Sequence, residues 1–182
     1  DAGIVGENVI AEAEAAVDIS ARPGFGRCRL SLAVPKTSGF QSVEDLEGKR
    51  IATSYPTMLS RFLEEKGIAA ETVIFRGCVE VSPSIGVADA ICDLVSSGST
   101  LISNGLRELE VVRQSEAVVI SNPKISDARR VLLDRFLFRV AAVTNAKKTK
   151  YVVLNAPNEA IPSIRAIIPG MKSPTITPLS LE

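Results

Sequence analysis

The chain has 182 residues, 46% of them hydrophobic and 23% charged, which is enough apolar material for a buried core in one domain or two small ones. Lysine plus arginine equals aspartate plus glutamate at 21 each, so the charge balance points to no nucleic-acid or polyanionic partner, and a phosphate ligand would need a local site. Histidine is absent, which excludes Ser-His-Asp and Cys-His nucleophilic catalysis and every H-E-x-x-H zinc site.

Short apolar runs alternate with helix-period segments, the signature of α/β architecture. The opening Asp1-Ala2-Gly3-Ile4-Val5-Gly6 has no initiator Met and reads as the middle of a strand and turn; with the strand-like residues 175–179 at the other end, both termini are expected to be cut. Residues 28–34 read as a strand closed by Pro35. Residues 50–53 read as a second, followed by Ser54-Tyr55-Pro56, where Pro56 suits the first turn of a helix. Met58, Leu59, Phe62 and Leu63 mark one face of that helix and Gly67 closes it. A third strand over 72–75 ends at Arg76-Gly77, and a short helix is expected over 84–88.

A fourth strand over 90–95 runs into the polar loop Ser96-Ser97-Gly98-Ser99-Thr100, after which a helix is expected from Thr100 to Leu106. Residues 111–112 and 117–120 are further strand candidates. Ser126-Asp127 caps a long helix over 128–146, in which Val131, Leu132, Arg135, Phe136, Arg139 and Val140 are spaced for one face and its border. Lys147-Lys148-Thr149-Lys150 then reads as a solvated hinge. Beyond it, a strand over 151–154, a helix over 161–168 and a strand over 175–179 read as the start of a separate β-α-β unit. The widely spaced Cys28, Cys78 and Cys92 make no C-x-x-C pair, which fits a reducing, cytoplasmic setting, and no signal peptide or membrane-spanning apolar run is visible.

The most informative stretch runs from Ala88 to Leu101. A buried strand delivers Asp93, then a run of small polar residues, then a helix start. In such a loop Gly98 lets the backbone approach a ligand closely, successive amides turn inward, and the hydroxyls of Ser96, Ser97, Ser99 and Thr100 donate further hydrogen bonds, the makings of a phosphate cradle. Asp93 stands where a carboxylate reaches ribose hydroxyls directly or through a metal. The same pattern also fits an ordinary capped turn. It lacks the Gly-Lys-Ser/Thr of a P-loop, so a nucleoside triphosphatase gets no support.

Five ordered blocks carry a resemblance: Asp1-Ala2-Gly3-Ile4-Val5-Gly6-Glu7-Asn8, Lys49-Arg50-Ile51-Ala52-Thr53-Ser54-Tyr55-Pro56, Gly77-Cys78-Val79-Glu80-Val81-Ser82-Pro83, the stretch from Asp89 to Leu101, and Ser103-Asn104-Gly105-Leu106. In order and spacing the chain resembles the ATP phosphoribosyltransferase family over essentially its whole length. The resemblance implies a two-lobed catalytic region of type II periplasmic-binding-protein fold, with 1–22 and 110–148 part of lobe I and 23–109 forming lobe II. It implies that 149–182 begin a ferredoxin-like (PII-like) regulatory domain, the mark of the long, hexameric, histidine-inhibited form. It also implies that an N-terminal part of lobe I and a C-terminal end belong to the whole protein, so that these residues alone bind phosphate weakly and do not turn over.

The implied activity is the first step of histidine biosynthesis: N1 of ATP attacks C1 of phosphoribosyl pyrophosphate (PRPP), and pyrophosphate leaves with Mg²⁺. Ser96, Ser97, Gly98, Ser99 and Thr100 would then hold the 5′-phosphate, and Asp93 the ribose hydroxyls or Mg²⁺. Tyr55 would border the adenine, or be a half-buried strand-end tyrosine. Glu80 would be a second carboxylate of the cleft, or a solvated one. The family commonly has Asn-Gly-Ser where this chain has Arg76-Gly77-Cys78, which puts a polar role for position 78 in doubt. Arg22, Arg27 and Arg29 would add positive charge near the cleft, or serve solubility alone. Two other readings use the same fold, a small-molecule binding module and a non-catalytic regulatory paralogue; the phosphate-type loop speaks against both.

Overall fold

The computed structural model describes residues 1–148, 150–168 and 175–178, in two compact units, 1–145 and 146–182. The first unit is built on two sheets. A three-stranded sheet takes β1 (Ala2–Gly6), β2 (Asp18–Ala21) and β8 (Ala117–Ser121) in the order β1-β8-β2, with β8 antiparallel to both neighbours. A five-stranded sheet takes β3 (Cys28–Pro35), β4 (Arg50–Thr53), β5 (Glu71–Ile74), β6 (Ala90–Val95) and β7 (Leu106–Ser115) in the order β5-β4-β6-β3-β7. Strands β5, β4 and β6 are parallel, and β3 runs antiparallel to both β6 and β7.

The central position of β3 agrees with its composition. Leu30 to Val34 are buried on both faces, the continuous apolar run of an interior strand. Alternation divides its side chains between two clusters. Leu30, Leu32 and Val34 pack with Ile51, Ala90 and Cys92 under α2 (Pro56–Lys66), whose Met58, Leu59, Phe62 and Leu63 supply the apolar face expected of them. Ala33 joins Ala52, Ile91 and Val95 on the opposite face, against Val79 of a 3-10 turn (Val79–Val81) and Leu101 of α3 (Ser99–Ser103). Helix α2 opens on Pro56 and ends at Gly67, whose φ of 71° is the left-handed conformation that halts a helix.

Several elements differ from expectation. Helix α1 (Glu7–Ala13) and β2 have no counterpart among the expected elements. The helix expected over Thr100–Leu106 is a single turn, because Leu106 is drawn into β7 to pair with Pro35. Residues 84–88 form turns rather than a helix, and their backbone bonds close back on Val81, Ser82 and Pro83. Strand β7 stays paired with β3 as far as Ser115, so the chain leaves the five-stranded sheet at Glu116, beyond the lobe boundary expected at 110. In α4 (Asp127–Ala146) the buried side chain is Leu133, while Val131, Leu132 and Phe136 are exposed. A concavity of about 690 Å³ lies between α4 and β1, lined by Ile4, Val119, Leu132 and Phe136 among others.

In the second unit a 3-10 turn (Asn158–Ala160) leads into α5 (Ile161–Ile167). Residues 151–154 form no strand: no neighbouring strand among the described residues supplies their N–H and C=O groups with partners, and Tyr151 is 94% exposed. Residues 175–178 carry no regular structure, and the rest of that expected strand lies outside the described residues, as does Thr149 of the expected hinge. Among the described residues no helix is long and apolar enough to cross a membrane.

Leu32 is fully buried at the centre of β3 and of the larger cluster, so Leu32→Ala is expected to destabilise the first unit by about 2–5 kcal/mol, read by urea denaturation.

Candidate functional site

The parallel strands β4 and β6 end side by side, with Thr53 opposite Cys92. From β4 the chain leaves over one face of the sheet through α2 to β5, and returns to β6 over the other face through the 3-10 turn. Connections that diverge to opposite faces mark the carboxyl ends of these strands as the usual ligand position of an open α/β sheet. Ser54 and Tyr55 succeed β4 at this edge; Asp93 and Val95 close β6 there, and the loop from Ser96 to Thr100 leaves from it.

Asp93 shares its face with Ile91 and Val95 and lies opposite Ser31 of β3. Burial pushes its carboxyl above the ordinary range; a hydrogen bond from the Leu94 amide (2.8 Å) opposes this, and the charge of Glu80 adds to the rise. Glu80, half-buried on the 3-10 turn, is therefore close enough to act on Asp93. Tyr55 is near as well: burial raises its phenol first, then the Asp93 charge, while the Asn8 amide donates to its hydroxyl at 3.4 Å and offsets part of the effect. The charge of Asp93 thus acts on Tyr55 and that of Glu80 on Asp93, across up to 38 positions of sequence.

The loop after β6 is exposed except at Gly98, which is half-buried. Gly98 has φ 83° and ψ −1°, a left-handed conformation that a side chain would strain. Among the described residues no protein acceptor takes the amides of Ser97, Gly98, Thr100 or Leu101, and that of Ser99 meets only Ser97 Oγ, at 3.4 Å. The Ser97 and Ser99 hydroxyls share a 2.9 Å bond. At the other end of α3 the carbonyls of Ser99 and Thr100 are taken by Ser103 Oγ and Asn104 Nδ2. With one turn of helix behind it, the loop has separate free N–H groups to offer an anion rather than a helix dipole.

Two residues that no sequence motif singled out connect the sheets at this edge. Asn8 of α1 is buried; its amide donates to Ser115 Oγ (3.0 Å), which donates back to Asn8 Oδ1 (3.0 Å), and its side chain reaches Tyr55. A Cβ at Gly6 would collide with Asn8 Oδ1, so that position needs glycine for space. Glu12 spans from α1 to the start of α2, accepting from the amides of Thr57 and Met58 at 3.0 Å each, a carboxylate cap lent by another element. The one signal for this helix in the sequence is the Ala/Glu-rich run from Glu7 to Ala16, whose helix propensity is high.

The arginines are otherwise engaged than expected. Arg22 is forked onto Glu7 at 2.8 Å and reaches Glu116 at 3.4 Å, Arg27 lies 3.8 Å from Glu116, and Arg29 is bidentate with Glu108. None of the three presents an unpaired charge. Cys78 is exposed with φ 50° and makes no capping bond, so it supplies no polar contact to the site. Cys92 is fully buried, which pushes its thiol far above its usual range, and no cysteine is paired.

This architecture is that of the two-lobed α/β class shared with periplasmic binding proteins. An alkanesulfonate-binding protein from Xanthomonas axonopodis pv. citri, solved with MOPS bound, superposes with a TM-score of 0.52 at 19% identity, over 80% of this chain and 54% of its own, a likeness of fold alone. The chain belongs to the ATP phosphoribosyltransferase family: the family model matches residues 1–142, and the model of the family's C-terminal domain matches 146–182. ATP phosphoribosyltransferases of Cytophaga hutchinsonii and Bacteroides thetaiotaomicron are 53% and 52% identical over 99% and 100% of the chain. The chain spans 63% and 64% of their length. A structure titled as the ATP phosphoribosyl transferase (HisG:HisZ) complex from Thermotoga maritima matches with a TM-score of 0.71 and 29% identity, over 80% of this chain and 71% of that one.

Two outcomes check this geometry. Asp93→Asn removes a charge that burial disfavours, so it is expected to raise the melting temperature at pH 7 by roughly 2–5 °C. Because the Asp93 pKa is raised, that advantage shrinks as pH falls through it and vanishes below the ordinary carboxylate range, where both side chains are neutral. Glu12→Ala uncaps α2 and is expected to cost about 1 kcal/mol in the same melts.

Proposed function

We propose that the chain provides the phosphoribosyl-binding part of an ATP phosphoribosyltransferase, which transfers phosphoribosyl from PRPP to N1 of ATP with release of pyrophosphate, the first step of histidine biosynthesis. The observation that carries this reading is the set of uncommitted amides at Ser97, Gly98, Thr100 and Leu101, at the carboxyl end of β6 that also carries the half-buried Asp93. These amides, with the hydroxyls of Ser96, Ser97, Ser99 and Thr100, grip the 5′-phosphate. Asp93 lies against the ribose, where its negative charge opposes the positive charge that spreads over the ring as the bond to pyrophosphate breaks. Tyr55 borders the adenine and keeps N1 aligned with C1. No side-chain nucleophile is needed, so a chain without histidine is competent for this chemistry by positioning and electrostatics.

Among the described residues no group of three or more candidate metal ligands is gathered. The Asp93 carboxylate, with the charge of Glu80 acting on it, would suit a Mg²⁺ ion, which typically takes one or two protein carboxylates and completes its shell with substrate phosphates and water. Bound there, the metal would supply charge neutralisation for the departing pyrophosphate. The C-terminal-domain match over 146–182 supports the long form of the family, with histidine as feedback inhibitor and a homo-oligomer up to a hexamer. Three unpaired cysteines support a reducing, cytoplasmic setting.

Ribose 5-phosphate titrated into ¹⁵N-labelled chain is expected to shift the amide resonances of Ser97 to Leu101, weakly, and Gly98→Ala to raise its Kd about tenfold. Undisturbed loop amides at saturating ligand would sink the reading.

A further inference from the structure

An arginine beside an anion-binding loop is ordinarily taken for a phosphate ligand, and Arg29 occupies such a place at the start of β3. Its donors are spent elsewhere. Nε and Nη2 donate in parallel to the two oxygens of Glu108 on β7, each at 2.6 Å, and Nη1 donates to the carbonyl of Ser96 at 3.2 Å. Ser31 Oγ adds a third bond to Glu108, at 2.8 Å. Arg29, Ser31 and Asp93 lie on one face of the five-stranded sheet, so this chain of contacts runs from beside the half-buried Asp93 to the first residue of the loop. The ion pair holds the Glu108 carboxyl well below its usual range, through the Arg29 hydrogen bonds first and that of Ser31 further down, so both partners keep their charge at every physiological pH.

The bond to Ser96 has a consequence for its neighbour. In a trans peptide the C=O and the following N–H point in opposite directions, and the chain contains no cis peptide among the described residues. Pinning the Ser96 carbonyl toward Arg29 therefore aims the Ser97 N–H away from it, and that N–H has no acceptor among the described residues. Removing the pin frees the 96–97 peptide to rotate and to lose its amide to water or a neighbouring carbonyl.

We propose that Arg29 is a positioning residue: held and neutralised by Glu108, it fixes the peptide between Ser96 and Ser97 so that the Ser97 amide is presented to the 5′-phosphate. This deepens the phosphoribosyl reading and rests on it. A positioning role and direct binding differ in what Glu108 does. If Arg29 bound the phosphate, removing Glu108 would release a cation and tighten binding. If Arg29 positions the peptide, removing Glu108 loosens the pin and weakens binding.

The test is titration of the chain with ribose 5-phosphate, followed by amide shifts and calorimetry, for wild type, Glu108→Ala, Arg29→Lys and the milder Ser31→Ala, with thermal melts confirming that each is folded. Glu108→Ala and Arg29→Lys are expected to raise Kd about fivefold and to move the Ser97 amide resonance in the unliganded protein; Ser31→Ala is expected to raise Kd about twofold. Lysine retains the charge without the planar fork, so it does not rescue. Tighter binding by Glu108→Ala, or wild-type affinity and an unmoved Ser97 resonance in Arg29→Lys, overturns the positioning role and leaves the phosphoribosyl reading standing. If either large variant fails to fold, an unchanged Kd in Ser31→Ala overturns it as well. A wild-type chain whose loop amides do not respond to ribose 5-phosphate removes both.

Discussion

Strand β6 is held between a parallel neighbour, β4, and an antiparallel one, β3, and the site depends on this pairing. The ladder with β4 brings Thr53 level with Cys92, so Tyr55 beyond the end of β4 and the Ser96 loop beyond the end of β6 share one edge of the sheet. The ladder with β3 sets Ser31 against Asp93 and leaves Arg29 opposite Val95, within reach of the loop's first carbonyl. A slip of one residue in either ladder would turn Asp93 to the α2 face, among Leu30, Leu32 and Ile51. The core is therefore what aims the chemistry: Ile91 and Val95 on one side and Ala90 and Cys92 on the other leave Asp93 a single register.

A partly buried carboxylate without a cationic partner is costly, and Asp93 is such a group, with the charge of Glu80 acting on it. Asp93 accepts from the Leu94 amide and has Glu80 as a like-charged neighbour. The nearby cations are already matched elsewhere, Arg29 with Glu108 and Arg22 with Glu7 and Glu116. Arrangements that hold one sign of charge uncompensated in a crevice favour an oppositely charged ligand or metal, since its arrival relieves the repulsion. The loop after β6 has the opposite character, with no net charge, only free N–H groups beside a left-handed glycine and a pinned peptide. On the proposed reading, the neutral loop would take the phosphate of a sugar phosphate and the acidic side its sugar.

The two sheets meet through few contacts of high specificity. Glu12 caps α2 from across the boundary, and Asn8 links Ser115 to Tyr55. The chain crosses between sheets twice, and the crossings are tied together by the Ala117 amide on the Phe25 carbonyl (3.0 Å) and by Arg22 on Glu7 and Glu116. The Asn8–Tyr55 hydrogen bond makes the edge at the carboxyl end of β4 part of this seam.

Much of this was legible in the sequence. The apolar runs at 28–34 and 90–95 are interior strands because burial on both faces demands unbroken hydrophobicity, and Pro56 with Gly67 bracketed α2 because each has a local backbone reason to be there. Asp93, Gly98 and the hydroxyl-rich loop stood out for the same reason: their chemistry is contained in a short stretch of chain. What the sequence did not disclose depends on distant partners. The Ala/Glu-rich α1 carries no apolar stripe strong enough to announce it, residues 151–154 look like a strand but find nothing to pair with among the described residues, and a helix expected to reach Leu106 is cut short by the pull of β7. The three arginines resembled free cations until the fold set a carboxylate against each. Sequence by itself determined the elements and the residue types of the site, since these follow from local periodicity and backbone preference. Only tertiary structure decided which charges remain unpaired and which amides stay open, because both are set by residues as much as 107 positions apart meeting in space.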